Sequence, residues 1–206
     1  MKFARNLVLS LCLFVFVFSS SLCFAEVSSM GFLKKNFDEI FSILQADSFK
    51  NKTDKDQLNL LYEKLDLTFD FRLISMLALG RNWRRFQPDQ KNDFTKYFSR
   101  LITNVYFAKI KGQDLKNVKV DYQKAVKLRT KSQRSDVYTL LHHNNVETPV
   151  VYRMIKRKSK DWMVYDVLIE GVSLIANYRD SYREKSMVPP EKIINELKVK
   201  LENEKF

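Results

Sequence analysis

The spacing of apolar residues changes period at Gly112, and that change limits the fold more than any other feature of the chain. Before it, Phe94, Tyr97, Phe98, Leu101, Ile102, Val105 and Tyr106 fall at i, i+3, i+4, i+7, i+8, i+11 and i+12, a wide apolar stripe along one helix. After it, Val118, Val120 and Tyr122 alternate with polar residues, and Val126 and Leu128 resume the alternation. That two-residue repeat belongs to strands. Val137 to Leu141, Val150 to Ile155 and Trp162 to Ile169 are further strand-like runs separated by short polar turns. Short connections favour antiparallel pairing.

Helical spacing also fills the stretch before the long stripe. From Met30 onward, Phe32, Leu33, Phe37, Ile40, Phe41 and Leu44 share one face, and Thr53 or Asp54 can cap a second helix carrying Leu58, Leu61 and Leu65. Asp70 to Leu79 reads as a nearly all-apolar helix closed by Gly80, which accepts a positive φ. Pro88 suits the first position of the long helix, which ends near Lys111-Gly112. Gly171 is expected to end the sheet, and Leu174 to Glu184 and Pro190 to Leu201 close the chain as two helices. The expected fold class is therefore α+β: a helical N-terminal half and C-terminal helices packed on one face of a curved antiparallel sheet of four or five strands.

The first 25 residues read as a cleavable signal peptide rather than as part of that fold. Lys2 and Arg5 precede an apolar run from Leu7 to Phe18, and Cys23-Phe24-Ala25 puts small residues at the −3 and −1 positions of a cleavage site. The run is too short for a bilayer span of about 20 residues, which weighs against an uncleaved anchor. Bulky Leu22 weighs against a lipoprotein built on Cys23. Residues 26–206 are expected to form a single exported domain. Both cysteines, Cys12 and Cys23, leave with the signal, so the mature chain must hold together by its core alone.

The chemical inventory is poor for catalysis. Gly31, Gly80, Gly112 and Gly171 are far apart, so no phosphate-cradling or dinucleotide-binding glycine motif exists. The only histidines, His142 and His143, are neighbours on or beside a strand and point to opposite faces, a poor start for a metal site. A serine triad would need one of them and lacks its G-x-S-x-G turn. Asp66 and Asp70 stand at i, i+4 as if on one helix face, an arrangement that fits solvated or capping roles better than an acid–base pair. Lysine and arginine number 36 against 24 acidic residues. Arg81, Arg84 and Arg85 flank Trp83 and Phe86, and Lys156 to Lys160 form a basic hairpin. Behind a signal peptide such charge meets anionic membranes and acidic protein surfaces rather than nucleic acid.

The run from Trp162 through Tyr165-Asp166-Val167, Glu170-Gly171-Val172-Ser173-Leu174-Ile175 and Asn177-Tyr178-Arg179 resembles the signature of the MlaC family. Phe69-Asp70-Phe71, Leu77 to Trp83, Pro88-Asp89-Gln90 with Phe94 and Phe98, Tyr106, and Tyr152-Arg153-Met154 match the rest of that family's pattern in order. Gln87 stands where the family usually has a Ser or Thr cap, and Pro189-Pro190 where it commonly has a glycine. The resemblance implies a carrier with no cofactor, whose cargo is a phospholipid. The carrier would move through the periplasm of a Gram-negative bacterium, between an outer-membrane lipoprotein–porin complex and an inner-membrane MCE-domain ABC transporter. It would thereby maintain outer-membrane lipid asymmetry. The implied fold is an NTF2- or cystatin-like sandwich with the acyl chains in an apolar cavity between sheet and helices. A related branch handles hopanoid lipids, and a non-lipid-holding accessory module of the transporter is the other alternative.

Two acyl chains hold about 30 methylenes at about 0.8 kcal/mol each, on the order of 24 kcal/mol of exposure cost in water. That exceeds the ceiling of about 18–21 kcal/mol for non-covalent affinity, so the tails must be almost wholly enclosed. Candidate wall residues are Leu73 and Leu77 before the long helix, Phe94, Phe98, Leu101 and Val105 on it, Tyr152 and Met154 on one strand, Tyr165, Val167 and Ile169 on the next, and Val172 and Ile175 after it. Strict alternation would place Tyr165, Val167 and Ile169 on one face with Asp166 turned away. Tyr178 and Arg179 are candidates for the mouth.

Overall fold

Ser28 opens the first helix, its Oγ accepting the Gly31 N–H at 3.0 Å, and α1 runs Ser29–Gln45. The computed structural model describes residues 28–203 except 114, 116, 131–132 and 158–160. The expected signal peptide and part of the basic hairpin therefore lie outside the described residues. A short α2 (Asp47–Lys50) leads to α3 (Asp54–Thr68), which Thr53 caps by accepting the Asp56 N–H at 3.2 Å.

The next step departs from the expected single face for Asp66 and Asp70. Phe69 is extended at φ −110° and ψ 135°, and the Asp70 N–H donates to the Val164 carbonyl at 2.9 Å. Helix α3 has ended, and Asp70 instead caps α4 (Phe71–Leu79), accepting the Leu73 N–H at 3.0 Å. Asp70 also takes the Arg157 Nε–H at 2.6 Å, while Asp66 pairs with Arg100. Gly80 closes α4 at φ +54° and begins a 3-10 turn, Gly80–Arg85. Pro88 opens α5 (Pro88–Ile110), and the Gln90 side chain accepts the Gln87 N–H at 2.8 Å, the half of a capping box that runs from the third helical residue back to the N-cap.

The sheet consists of β1 (Lys119–Leu128), β2 (Gln133–His143), β3 (Val146–Lys156), β4 (Trp162–Ile169) and β5 (Val172–Ser173), antiparallel and in chain order. Asn144 and Asn145, both at positive φ, make the tight turn that lets β2 and β3 run longer than their apolar cores. Gly171 does not end the sheet: it turns the chain so that Val172 pairs with Ile169 and Ser173 with Leu168. Helices α6 (Leu174–Arg183) and α7 (Pro190–Asn203) follow.

Two packing centres result. Phe86, Phe94, Phe98, Tyr182 and Ile193 form the core of a bundle made by α4, α5, α6, α7 and the 3-10 turn. Phe94 and Phe98 are fully buried and stack at 5.1 Å, with Tyr182 edge-on to both. Each such ring contributes about 1.5–3 kcal/mol by burial. The second centre sits where α1 lies on the sheet, with Phe32 and Leu33 against Val137, Met154, Trp162 and Val164.

Candidate functional site

Between these two centres the layers do not meet. A cavity of about 290 Å³ remains, walled by Phe37, Ile40 and Leu44 of α1, Leu61 and Leu65 of α3, and Ile102, Tyr106 and Ile110 of α5. Tyr152, Val167 and Ile169 supply the sheet side, Phe69, Phe71 and Ile74 the α3–α4 passage, and Leu174 and Ile175 the start of α6. Periodicity explains the α1 and α5 contributions, since residues three and four apart share a helix face. Tyr152 and Val167 are cross-strand partners and so stand side by side. The Tyr152 ring meets Phe37 edge-on at 4.8 Å.

The few polar groups in the wall are already occupied or neutral. The Thr103 hydroxyl donates to the Ser99 carbonyl at 3.0 Å. Burial pushes the Tyr106 and Tyr152 phenols upward, so both stay uncharged. Asp166, only 5% exposed, uses both oxygens. Oδ1 accepts the N–H groups of Val167 (2.9 Å) and Ile175 (3.3 Å), and Oδ2 accepts from the Ser173 hydroxyl (2.8 Å) and Arg153 (3.3 Å). The carboxylate thus fastens the first turn of α6 to β4 and presents no free charge to the cavity. Ile169, 37% exposed, is the most exposed wall residue and marks the mouth; Val172, 57% exposed, stands beyond it on the turn. Leu61, Ile74 and Ile175 are among its buried wall residues.

Of the candidate wall residues, the structure brings Tyr152, Val167, Ile169 and Ile175 together in the cavity. Phe94, Phe98, Leu101 and Val105 instead pack the helical bundle. The stripe on α5 is wide enough to serve two neighbours, and its Ile102 and Tyr106 edge, with Ile110 beyond, faces the cavity. Met154 belongs to the core under α1. Leu73 and Tyr165 pack with Ile155, and Leu77 bridges that cluster to the bundle. The cause is a bulge: register shifts between Arg153 and Met154, so Met154 faces Val164 while Arg153 faces Asp166. The extra residue takes Tyr165 away from Val167 and brings Asp166, expected to turn away, to the cavity wall. Tyr178 is edge-on to Phe98, and Arg179 lies against Gly80, so neither reaches the mouth.

The wall residues on α1 and α3 had a signal in the sequence, the helical spacing of Phe37, Ile40 and Leu44 and of Leu61 and Leu65. That spacing does not distinguish cavity from core. His142 pairs with Glu147 across the β2–β3 hairpin at 3.3 Å, and no three metal-ligating side chains gather among the described residues.

Comparison with known proteins agrees with this geometry. The MlaC protein family model matches residues 34–198. The chain is 23% identical over 154 residues to the intermembrane phospholipid transport system binding protein MlaC of Haemophilus influenzae, covering 73% of this chain and 71% of that protein. A phospholipid-binding protein from Ralstonia solanacearum, solved in complex with a phospholipid, shares the fold at a TM-score of 0.73 and 18% identity, over 86% of this chain and 97% of its own.

Proposed function

The chain belongs to the MlaC family, and from that premise we propose that it is a non-catalytic carrier that holds a phospholipid by its tails in the cavity between helices and sheet. The observation that carries this reading is the wall itself: apolar side chains from five helices and two strands surround a space whose few polar groups are all occupied or neutral. A solvated active site needs convergent charged or nucleophilic groups; among the described residues of this wall the one carboxylate, Asp166, is fully engaged and the Tyr106 and Tyr152 phenols are uncharged. An aliphatic chain needs only enclosure, and a mouth at Ile169 leaves the headgroup in water. The names of the Haemophilus and Ralstonia proteins, a phospholipid transport binding protein and a phospholipid-binding protein, support the choice of cargo.

The family and the N-terminal pattern further support a periplasmic location after removal of residues 1–25. There the protein would exchange its lipid with an outer-membrane lipoprotein–porin complex and an inner-membrane MCE-domain ABC transporter, keeping the two leaflets of the outer membrane different. Mass analysis of gently purified protein tests the central claim. Glycerophospholipid at near-stoichiometric yield is expected. Protein that is consistently lipid-free, and stays so when offered phospholipid vesicles, would overturn it.

A further inference from the structure

A second concavity shares no wall residue with the first. It lies between the 3-10 turn and α6, walled by Gly80, Arg81, Asn82, Arg179, Arg183 and Ser186 and by one carboxylate, Asp180. The Arg179 stem lies over Gly80, which has no side chain to push it off. Asn82 fixes the floor: buried, it donates to the Tyr182 carbonyl at 2.7 Å and accepts from Arg85 at 3.1 Å. Among the described residues no carboxylate pairs with Arg81 or Arg179, and Arg183 meets only the exposed Asp180, at 3.7 Å. Three arginines thus line one notch that holds a single carboxylate, Asp180.

Beside the notch stands the most exposed large hydrophobic side chain of the described residues, Met187, at 90%. It is held there. The Val188 N–H donates to the Lys185 carbonyl at 3.0 Å, making a turn with Ser186 and Met187 at its corner. Arg85 clasps both ends, donating to the carbonyls of Val188 (2.9 Å) and Lys185 (3.4 Å), and Lys185 is ion-paired to Glu196 of α7. Pro189 and Pro190 stiffen the exit. A braced turn that keeps one thioether side chain in water, next to a notch whose three arginines share one exposed carboxylate, has two complementary halves. A protein partner of ordinary size would want a contiguous apolar centre within about 1,000 Å² of interface, which one methionine does not provide. A bilayer surface satisfies both halves: the methionine enters the acyl boundary while guanidinium groups grip lipid phosphates.

We propose that the Arg81–Arg179–Arg183 notch and the Met187 turn form a docking site for anionic phospholipid bilayers, separate from the cavity that holds cargo. It draws its purpose from the carrier reading but not its chemistry, so attachment is measured apart from cargo. The full-length mature protein is floated with vesicles of phosphatidylcholine mixed with phosphatidylglycerol, and with phosphatidylcholine alone, while bound lipid is followed by mass analysis. Attachment to the mixed vesicles that weakens with salt is expected. Replacing Arg81, Arg179 and Arg183 by Gln should weaken it about 100-fold, roughly fivefold per arginine. Met187→Ser should weaken it several-fold and leave the salt dependence unchanged. A control that removes the same charge elsewhere, Lys55→Gln with Lys127→Gln and Lys200→Gln, should cost far less. The proposal is overturned if the arginine variant floats like the lysine control, or if the wild type ignores anionic vesicles. It is equally overturned if the arginine variant keeps vesicle attachment while losing a membrane-protein partner. Lipid-free protein that still floats would refute the carrier reading and leave the docking site standing.

Discussion

Asp166 joins the end of the sheet to the start of α6 through four contacts on two oxygens. Asp166→Ala leaves the N–H groups of Val167 and Ile175 without their acceptor, while Arg153, partly exposed and still near Asp136, keeps other partners; the loss is expected to be roughly 2–3 kcal/mol in a urea melt. Ser173→Ala removes both the cap on the Ala176 N–H and the hydroxyl that donates to Asp166, and should cost about 1–2 kcal/mol. Tyr122 shows the reverse case. Burial raises its pKa to about 12, and its hydroxyl has no partner among the described residues. Tyr122→Phe should therefore stabilise by about 1 kcal/mol, a melting-temperature rise of about 2–4 °C at this size. Asp136, with an unpartnered Oδ1, has its pKa raised by burial, opposed by Arg153 and reinforced by Asp166. The folded state thus holds this proton more tightly than the unfolded chain, so the contribution is present at acid pH and lost as pH rises through the raised pKa. Asp136→Asn should exceed wild type in stability at neutral pH, by less than about 1 kcal/mol because solvent screens the group, and match it below the ordinary carboxylate range.

Helix α5 separates what folds the protein from what the cavity does. Phe98→Ala empties the bundle core and should cost about 3–5 kcal/mol while leaving cargo in place. Ile102→Asp puts a charge in the apolar wall and should abolish lipid co-purification, with the helix still formed by circular dichroism. The length of α5, its proline start and its glycine end were readable in the chain because each depends on local chemistry. So were the cap at Thr53 or its neighbour Asp54 and the order of helices and strands, whereas the break at Phe69 that makes Asp70 a cap was not. Which edge of the α5 stripe meets the cavity was not readable, because that depends on where α6 and α7 pack. The β4 bulge escaped for another reason: one inserted residue leaves the apolar composition of a strand unchanged while turning Tyr165 and Asp166 to new neighbours. The two-residue β5 is too short to show any period at all.

The whole molecule must also reconcile its cavity with its cargo. About 290 Å³ falls just below the ~300–1,000 Å³ typical of pockets for drug-sized ligands, and a two-tailed lipid is larger than those. Loading should therefore separate α1 from the sheet. Spin labels at Ser42 on α1 and Lys124 on β1 should report a longer distance in lipid-loaded than in stripped protein, and an unchanged distance would refute the widening. The direction of that widening follows from where the layers are joined. Along β4 the chain is fixed twice, by the Asp70–Val164 hydrogen bond on one side and by Asp166 on the other. Along β1 the main helical neighbour is α1 alone. A book with its spine at β4, where Phe32 and Leu33 also hold the start of α1, opens at its fore-edge, and the page that lifts is the end of α1 around Ser42.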